Sequence, residues 1–116
     1  MKATSPITTH VLDISRGQPA AGIAVVLERL DAENRWQEIG DGVTDLDGRV
    51  GDLLAGGALK AGRHRLTFAV EKYFQQLNVT SFYPQVTVEI QITSADQHYH
   101  VPLLLSPFGY TTYRGS

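Results

Sequence analysis

The histidines placed to work on a substrate lie in two stretches. One is His98-Tyr99-His100, which opens a segment that runs through an apolar stretch to Tyr113-Arg114-Gly115-Ser116. The other is His10, within Ile7-Thr8-Thr9-His10-Val11-Leu12-Asp13. Histidine titrates at about pH 6.5 and can therefore take or give a proton under working conditions. Arg49 follows the turn Asp45-Leu46-Asp47-Gly48 and carries a planar, permanently charged fork suited to substrate oxygens. Singly, each has a plain reading as a solvated histidine, a solvated arginine or a polar tail. Together, a terminal stretch dense in aromatic, cationic and hydroxyl groups points to a site, because untied chain ends tolerate almost anything.

Other chemistries fit less well. A His-x-His pair on one strand face can hold zinc, but no Cys, Asp or Glu joins His98 and His100, so a metal is not expected. The Asp45–Gly48 segment lacks the further ligands and late Glu of a calcium loop and reads as a turn. Ser116 does not sit in a Gly-x-Ser-x-Gly elbow, so nothing marks it as an activated nucleophile.

These residues need elements to hold them. Ile23, Val25 and Leu27 alternate with polar neighbours, as do Leu66, Phe68 and Val70, and Val86, Val88, Ile90 and Ile92. Period two with one apolar face describes antiparallel strands on a shared core. In the His10 strand, Thr9 and Val11 take the inner face and Thr8, His10 and Leu12 the outer one. After His98, Tyr99, Val101, Leu103 and Leu105 form the inner face, and His98, His100, Pro102 and Leu104 the outer. Pro102 cannot donate to a ladder, which favours an edge strand or a bulge there. An outer face bearing Pro and Leu is too apolar to be simply wet, so it borders either a partner or a pocket. Turn signals at Arg16–Pro19, Asp47-Gly48, Gly56-Gly57, Ala61-Gly62 and Ser94–Asp96 are spaced for a two-sheet sandwich of roughly seven or eight strands. One helix is expected over Glu71–Leu77, where Tyr73, Phe74 and Leu77 share a side and Asn78 can stop it.

Composition bounds the rest. At 116 residues, 42% hydrophobic and 19% charged, the chain can bury a real core and reads as one domain over 1–116. It has no cysteine, so disulfide and thiolate chemistry are excluded, which fits a reducing compartment. A net charge of -2 with scattered basic residues argues against nucleic acid. No apolar run reaches the roughly 20 residues that span a bilayer, and no signal-peptide pattern follows Lys2, so a soluble cytoplasmic chain is expected.

Three blocks resemble the transthyretin-related proteins: Thr8–Asp13 followed by Gly17–Ala20, then Thr44–Arg49, then His98–Ser116. The likeness covers essentially the whole chain, and Tyr113-Arg114-Gly115-Ser116 is similar to the signature of the 5-hydroxyisourate hydrolases within that family. The resemblance implies an all-β, transthyretin-like, Greek-key sandwich of about eight strands with one short helix. It further implies a homotetramer, a dimer of dimers whose sites lie in a channel at the dimer–dimer interface. His10, Arg49, His100 and Ser116 match the catalytic set, and Tyr113, Arg114 and Gly115 the substrate-binding tail. His98 and Leu104 share the channel face and join them as substrate contacts. The implied reaction is hydrolysis of 5-hydroxyisourate to 2-oxo-4-hydroxy-4-carboxy-5-ureidoimidazoline in urate breakdown, by water attack on a cyclic amide without a cofactor. The rivals are a transthyretin-like carrier for a small aromatic ligand and an interaction protein using only the sandwich surface.

Overall fold

Alternating residue types become alternating burial in the computed structural model, which describes residues 5–54 and 57–116. In chain order its elements are β1 (Ile7–Asp13), β2 (Gln18–Pro19), β3 (Ala24–Leu30), β4 (Trp36–Val43), β5 (Arg49–Val50), β6 (Gly62–Phe68), α1 (Val70–Gln76), β7 (Val86–Ile92), β8 (Tyr99–Ser106) and β9 (Gly109–Thr112). Along β1, Ile7, Thr9, Val11 and Asp13 are buried while Thr8, His10 and Leu12 are half-buried on the other face. Along β8, Tyr99, Val101, Leu103 and Leu105 face inward.

The strands form two sheets. One has the order β2-β1-β8-β9, with β5 also paired to β1, and the other runs β4-β3-β6-β7. Between them lie Ile7, Val11, Val25, Leu27, Leu66, Phe68, Leu103 and Leu105, all with 0% exposure. Each such side chain contributes roughly 1.5–3 kcal/mol relative to exposure, so sheet-on-sheet packing fixes the strands on which the site is built. The result is an all-β sandwich with one short helix. It has nine described strands, two of them only two residues long, against the expected seven or eight.

Three expectations change. The sheets are not wholly antiparallel: β1 and β8 run parallel, with Thr8 opposite His100 and His10 opposite Pro102. Periodicity fixes the face of a strand but not the direction of its neighbour, and β1 and β8 are joined through the whole second sheet, ample for a crossover. Pro102 does not lie on an edge strand, because β8 has β1 on one side and β9 on the other. The β8–β9 ladder covers Leu103–Ser106, breaks at Pro102 and resumes as a single bridge between His100 and Gly115. The missing N–H faces that gap, and the Pro102 carbonyl instead accepts a hydrogen bond from the Thr112 hydroxyl at 2.7 Å. Val70 leaves the strand pattern and opens the helix, which begins and ends one residue earlier than expected.

Asn78 does end that helix, with φ 57°. Its N–H reaches the Gln75 carbonyl at 3.0 Å and that of Val79 the Phe74 carbonyl at 2.9 Å, the two bonds of a Schellman stop. Of the Gly56-Gly57 turn, Gly56 lies outside the described residues. The Asp47-Gly48 turn is present: Gly48 has φ 75°, and a Cβ there would strike the Val11 carbonyl oxygen, so glycine lets the loop bearing Arg49 lie against β1.

Candidate functional site

The outer face of β1, β5 and β8 gathers residues from three distant segments. Arg49 stands directly across from His10 in the β1–β5 pair, and Thr8 directly across from His100 in the β1–β8 pair. The chain after β9 then folds back along β8, so that the Gly115 N–H donates to the His100 carbonyl at 2.8 Å. This return puts Gly115 against the His100 ring. A Cβ on Gly115 would lie 2.6 Å from His100 Cδ2 and 3.2 Å from Pro102 Cγ, closer than side chains tolerate. It also covers Pro102, which explains how an outward-facing proline is buried.

Thr8, Thr9, Arg49, Val50, Gly51, His98, His100 and Ser116 line a cavity of about 310 Å³. His10 borders the cavity without lining it, yet it lies near enough to act electrostatically on both His100 and Asp45. Burial, reinforced by the Arg49 guanidinium, His10 and His98, holds the His100 imidazole below the ordinary histidine value. A neutral imidazole beside a fixed cation is a proton acceptor next to an oxyanion holder. Asp45 orders the loop that presents Arg49: its Oδ1 accepts from the N–H of Arg49 at 3.0 Å and of Asp47 at 2.9 Å. Those bonds, led by the one from Arg49, hold its carboxyl below the usual range.

The Thr8 hydroxyl lies 2.8 Å from His100 Nδ1 and 3.1 Å from His98 Nε2. Among the expected site residues it was missing. Its signal was present only as parity, since Thr8 shares the His10 face, and its partner emerges only with the β1–β8 register.

The remaining expected residues lie elsewhere. Tyr113 and Arg114 line a second cavity of about 390 Å³ between the β7 edge, Tyr99 and the returning tail, and His100 lines this one as well. The Arg114 guanidinium sits 4.4 Å over the Tyr99 ring and donates to Gln97 Oε1 at 2.8 Å. Leu104 is half-buried on the outer face between Leu12 and Thr111, and does not line the histidine cavity. Within one chain, then, the tail divides around His100: Ser116 shares the first cavity with it, and Tyr113 and Arg114 share the second.

Residues 7–115 match the model of the HIUase/Transthyretin family. The chain belongs to that family. It is 48% identical over 114 residues to the 5-hydroxyisourate hydrolase of Mus musculus, covering 97% of each chain. The 5-hydroxyisourate hydrolase structure of Klebsiella pneumoniae superposes with a TM-score of 0.83 at 34% identity, covering 99% of this chain and 100% of that one. Sea bream transthyretin, solved with thyroxine, superposes at 0.89 with 31% identity, covering 96% and 95%. Within the family, fold alone therefore does not separate hydrolase from carrier. The cavity side chains must do so.

Proposed function

We infer that the chain is a 5-hydroxyisourate hydrolase, opening the ring to 2-oxo-4-hydroxy-4-carboxy-5-ureidoimidazoline as a step of urate breakdown. The observation that carries this reading is the convergence of Arg49, His100 and Ser116 on one cavity, with His10 alongside, in a chain 48% identical to a curated enzyme of that name. A carrier needs an apolar slot. A hydrolase needs an acceptor for a water proton, a donor for the leaving nitrogen and a cation for the oxyanion, which this set supplies.

His100, held neutral by burial, takes one proton from the attacking water as the oxygen bonds to the ring carbonyl carbon. The Arg49 fork accepts the developing oxyanion. The carbon–nitrogen bond then breaks, and His10 is the candidate to protonate the departing ring nitrogen. Ser116 orients the water or the ring. Tyr113 and Arg114 border His100 from the second cavity, and assembly completes the site: the working form is a homotetramer, a dimer of dimers, whose channel brings two chains' outer faces together. That expectation has the family membership and the exposed Tyr113, Phe108 and Ile14 in its favour. Among the described residues no helix is long and apolar enough to cross a membrane. The cysteine-free chain suits the cytoplasm, where this reading places it.

The deciding experiment adds the protein to freshly generated 5-hydroxyisourate and follows the fall in ultraviolet absorbance. Acceleration over spontaneous decay, lost in His100→Ala, is expected. A rate no faster than spontaneous decay from well-folded protein favours the carrier and defeats the hydrolase.

A further inference from the structure

A threonine hydroxyl has one hydrogen and two lone pairs, whereas each nitrogen of a neutral imidazole is either donor or acceptor. Thr8 Oγ1 sits between His100 Nδ1 at 2.8 Å and His98 Nε2 at 3.1 Å, so a continuous chain, in which Thr8 accepts from one ring and donates to the other, has two senses. In the first, His100 Nδ1–H donates to Thr8 and the Thr8 hydroxyl donates to His98 Nε2. His100 Nε2 then carries a lone pair. In the second, every hydrogen bond is reversed and His100 Nε2 carries a hydrogen.

We propose that Thr8 is a positioning residue and proton conduit, which sets His100 as the base and passes the charge of water activation to His98. The proposal rests on the hydrolase reading and adds the proton's route. The water O–H bond breaks and its proton joins His100 Nε2. The Nδ1 hydrogen passes to Thr8 Oγ1, and the Thr8 hydrogen passes to His98 Nε2. The chain ends in its second sense, with His100 neutral and His98 an imidazolium. One proton has entered and one charge has appeared, at a different ring.

The surroundings favour that displacement. From β5 the Arg49 cation faces His100, from β1 His10, and from the segment just before β8 His98, while Gly115 and Ser116 close over it from the tail. Asp45 lies near Arg49 and His10, and its Oδ1 accepts from the backbone N–H groups of Asp47 and Arg49. A positive charge left on His100 would be half-buried beside the Arg49 cation. On His98 it faces solvent, where the Thr8–His98 contact is exposed.

Thr8→Val keeps the β-branched shape and removes the hydroxyl. Its kcat is expected to fall about tenfold or more, with KM changed by less than about threefold, as suits an acid–base role. Thr8→Ser should restore kcat to within about threefold of the parent, since the hydroxyl returns. His98→Gln, which bonds but takes up no proton, should match Thr8→Val, and the double variant should fall no further, because both break one chain. Long-range proton–nitrogen NMR of the unmutated protein at about pH 8 should find His100 protonated on Nδ1, a preference Thr8→Val loses. Three results overturn the proposal: Thr8→Val kcat within about twofold of the parent, Thr8→Ser no better than Thr8→Val, or an Nε2–H tautomer in the unmutated protein. If the parent protein itself fails to hydrolyse the substrate, the hydrolase reading falls instead. If it turns over and only His100→Ala is inactive, the relay alone falls.

Discussion

At the scale of single residues, the site is governed by what surrounds His100. Burial and three positive or protonatable neighbours press its imidazole below the ordinary value, so it is neutral over a wider range of pH than a free histidine. The sign follows directly: a lowered value means the base form persists as pH falls through about 6.5, the ordinary histidine point. The acid limb of kcat/KM, which reports the free enzyme, is therefore expected below that point. A limb at or above it would contradict the role of His100 as base. Arg49 is tested by Arg49→Lys, which keeps the charge and loses the fork. Removal of one oxyanion donor costs about 10²–10³ in kcat, and a fall of that order is expected from initial-rate kinetics. Gly115→Ala is subtler. Its methyl must displace the His100 ring or the tail, so kcat should drop while the melting temperature stays near the parent's. An unchanged kcat would mean that the tail does not fix the ring.

At the scale of elements, parity was legible and pairing was not. The sequence places His10, His98, His100 and Leu104 on outer faces because inward Thr9, Val11, Val101 and Leu103 alternate with them, and burial follows that pattern. The same reading cannot see that β1 lies parallel to β8, so the Thr8–His100 contact stays hidden. Nor does it see β4, whose Gly40 and Gly42 interrupt any apolar rhythm. Those glycines are there because a Cβ on Gly40 would strike the Leu53 carbonyl oxygen, and one on Gly42 would lie 2.5 Å from Val50 Cγ1. The helix was legible because Tyr73, Phe74 and Leu77 share one side at helical spacing before Asn78. Tyr73 does more than pack. Its hydroxyl donates to Asp13 Oδ2 at 2.8 Å, while Asp13 Oδ1 accepts from the N–H groups of Ser15 at 3.0 Å and Arg16 at 3.3 Å. The bond ties α1 to the end of the strand that carries Thr8 and His10. Tyr73→Phe leaves a buried carboxylate oxygen without that partner and should cost about 1–3 kcal/mol by denaturant unfolding, with turnover of the folded fraction preserved. A loss within measurement error would show the tie to be replaceable.

At the scale of the molecule, a second histidine couples protonation to folding. His64 is fully buried in β6, with Nδ1 3.1 Å from the Gly62 carbonyl oxygen and Nε2 without a hydrogen-bond partner among the described residues. Burial holds it below the ordinary value, opposed by that backbone contact and reinforced by Arg29. The unfolded chain thus takes up a proton near pH 6.5 that the folded chain refuses, so stability is full above that point and declines as pH falls below it. His64→Leu should flatten that part of a melting-temperature profile against pH. An unchanged slope would assign the acid sensitivity to His100 or to the carboxylates. Assembly sets the other global property. β7 and β9 each have a single neighbour among the described strands and expose backbone edges on the same side of the sandwich, with Tyr113 and Arg114 in the gap between them. Open edges of this kind invite pairing with another chain. If the site is completed across a dimer–dimer channel, sedimentation should give four times the 12.7 kDa of one chain. Specific activity should then fall on dilution with the same midpoint as the mass, because chains that separate lose half of each site. A 12.7 kDa species that keeps full turnover would instead mean that one chain suffices and that no partner supplies part of the site.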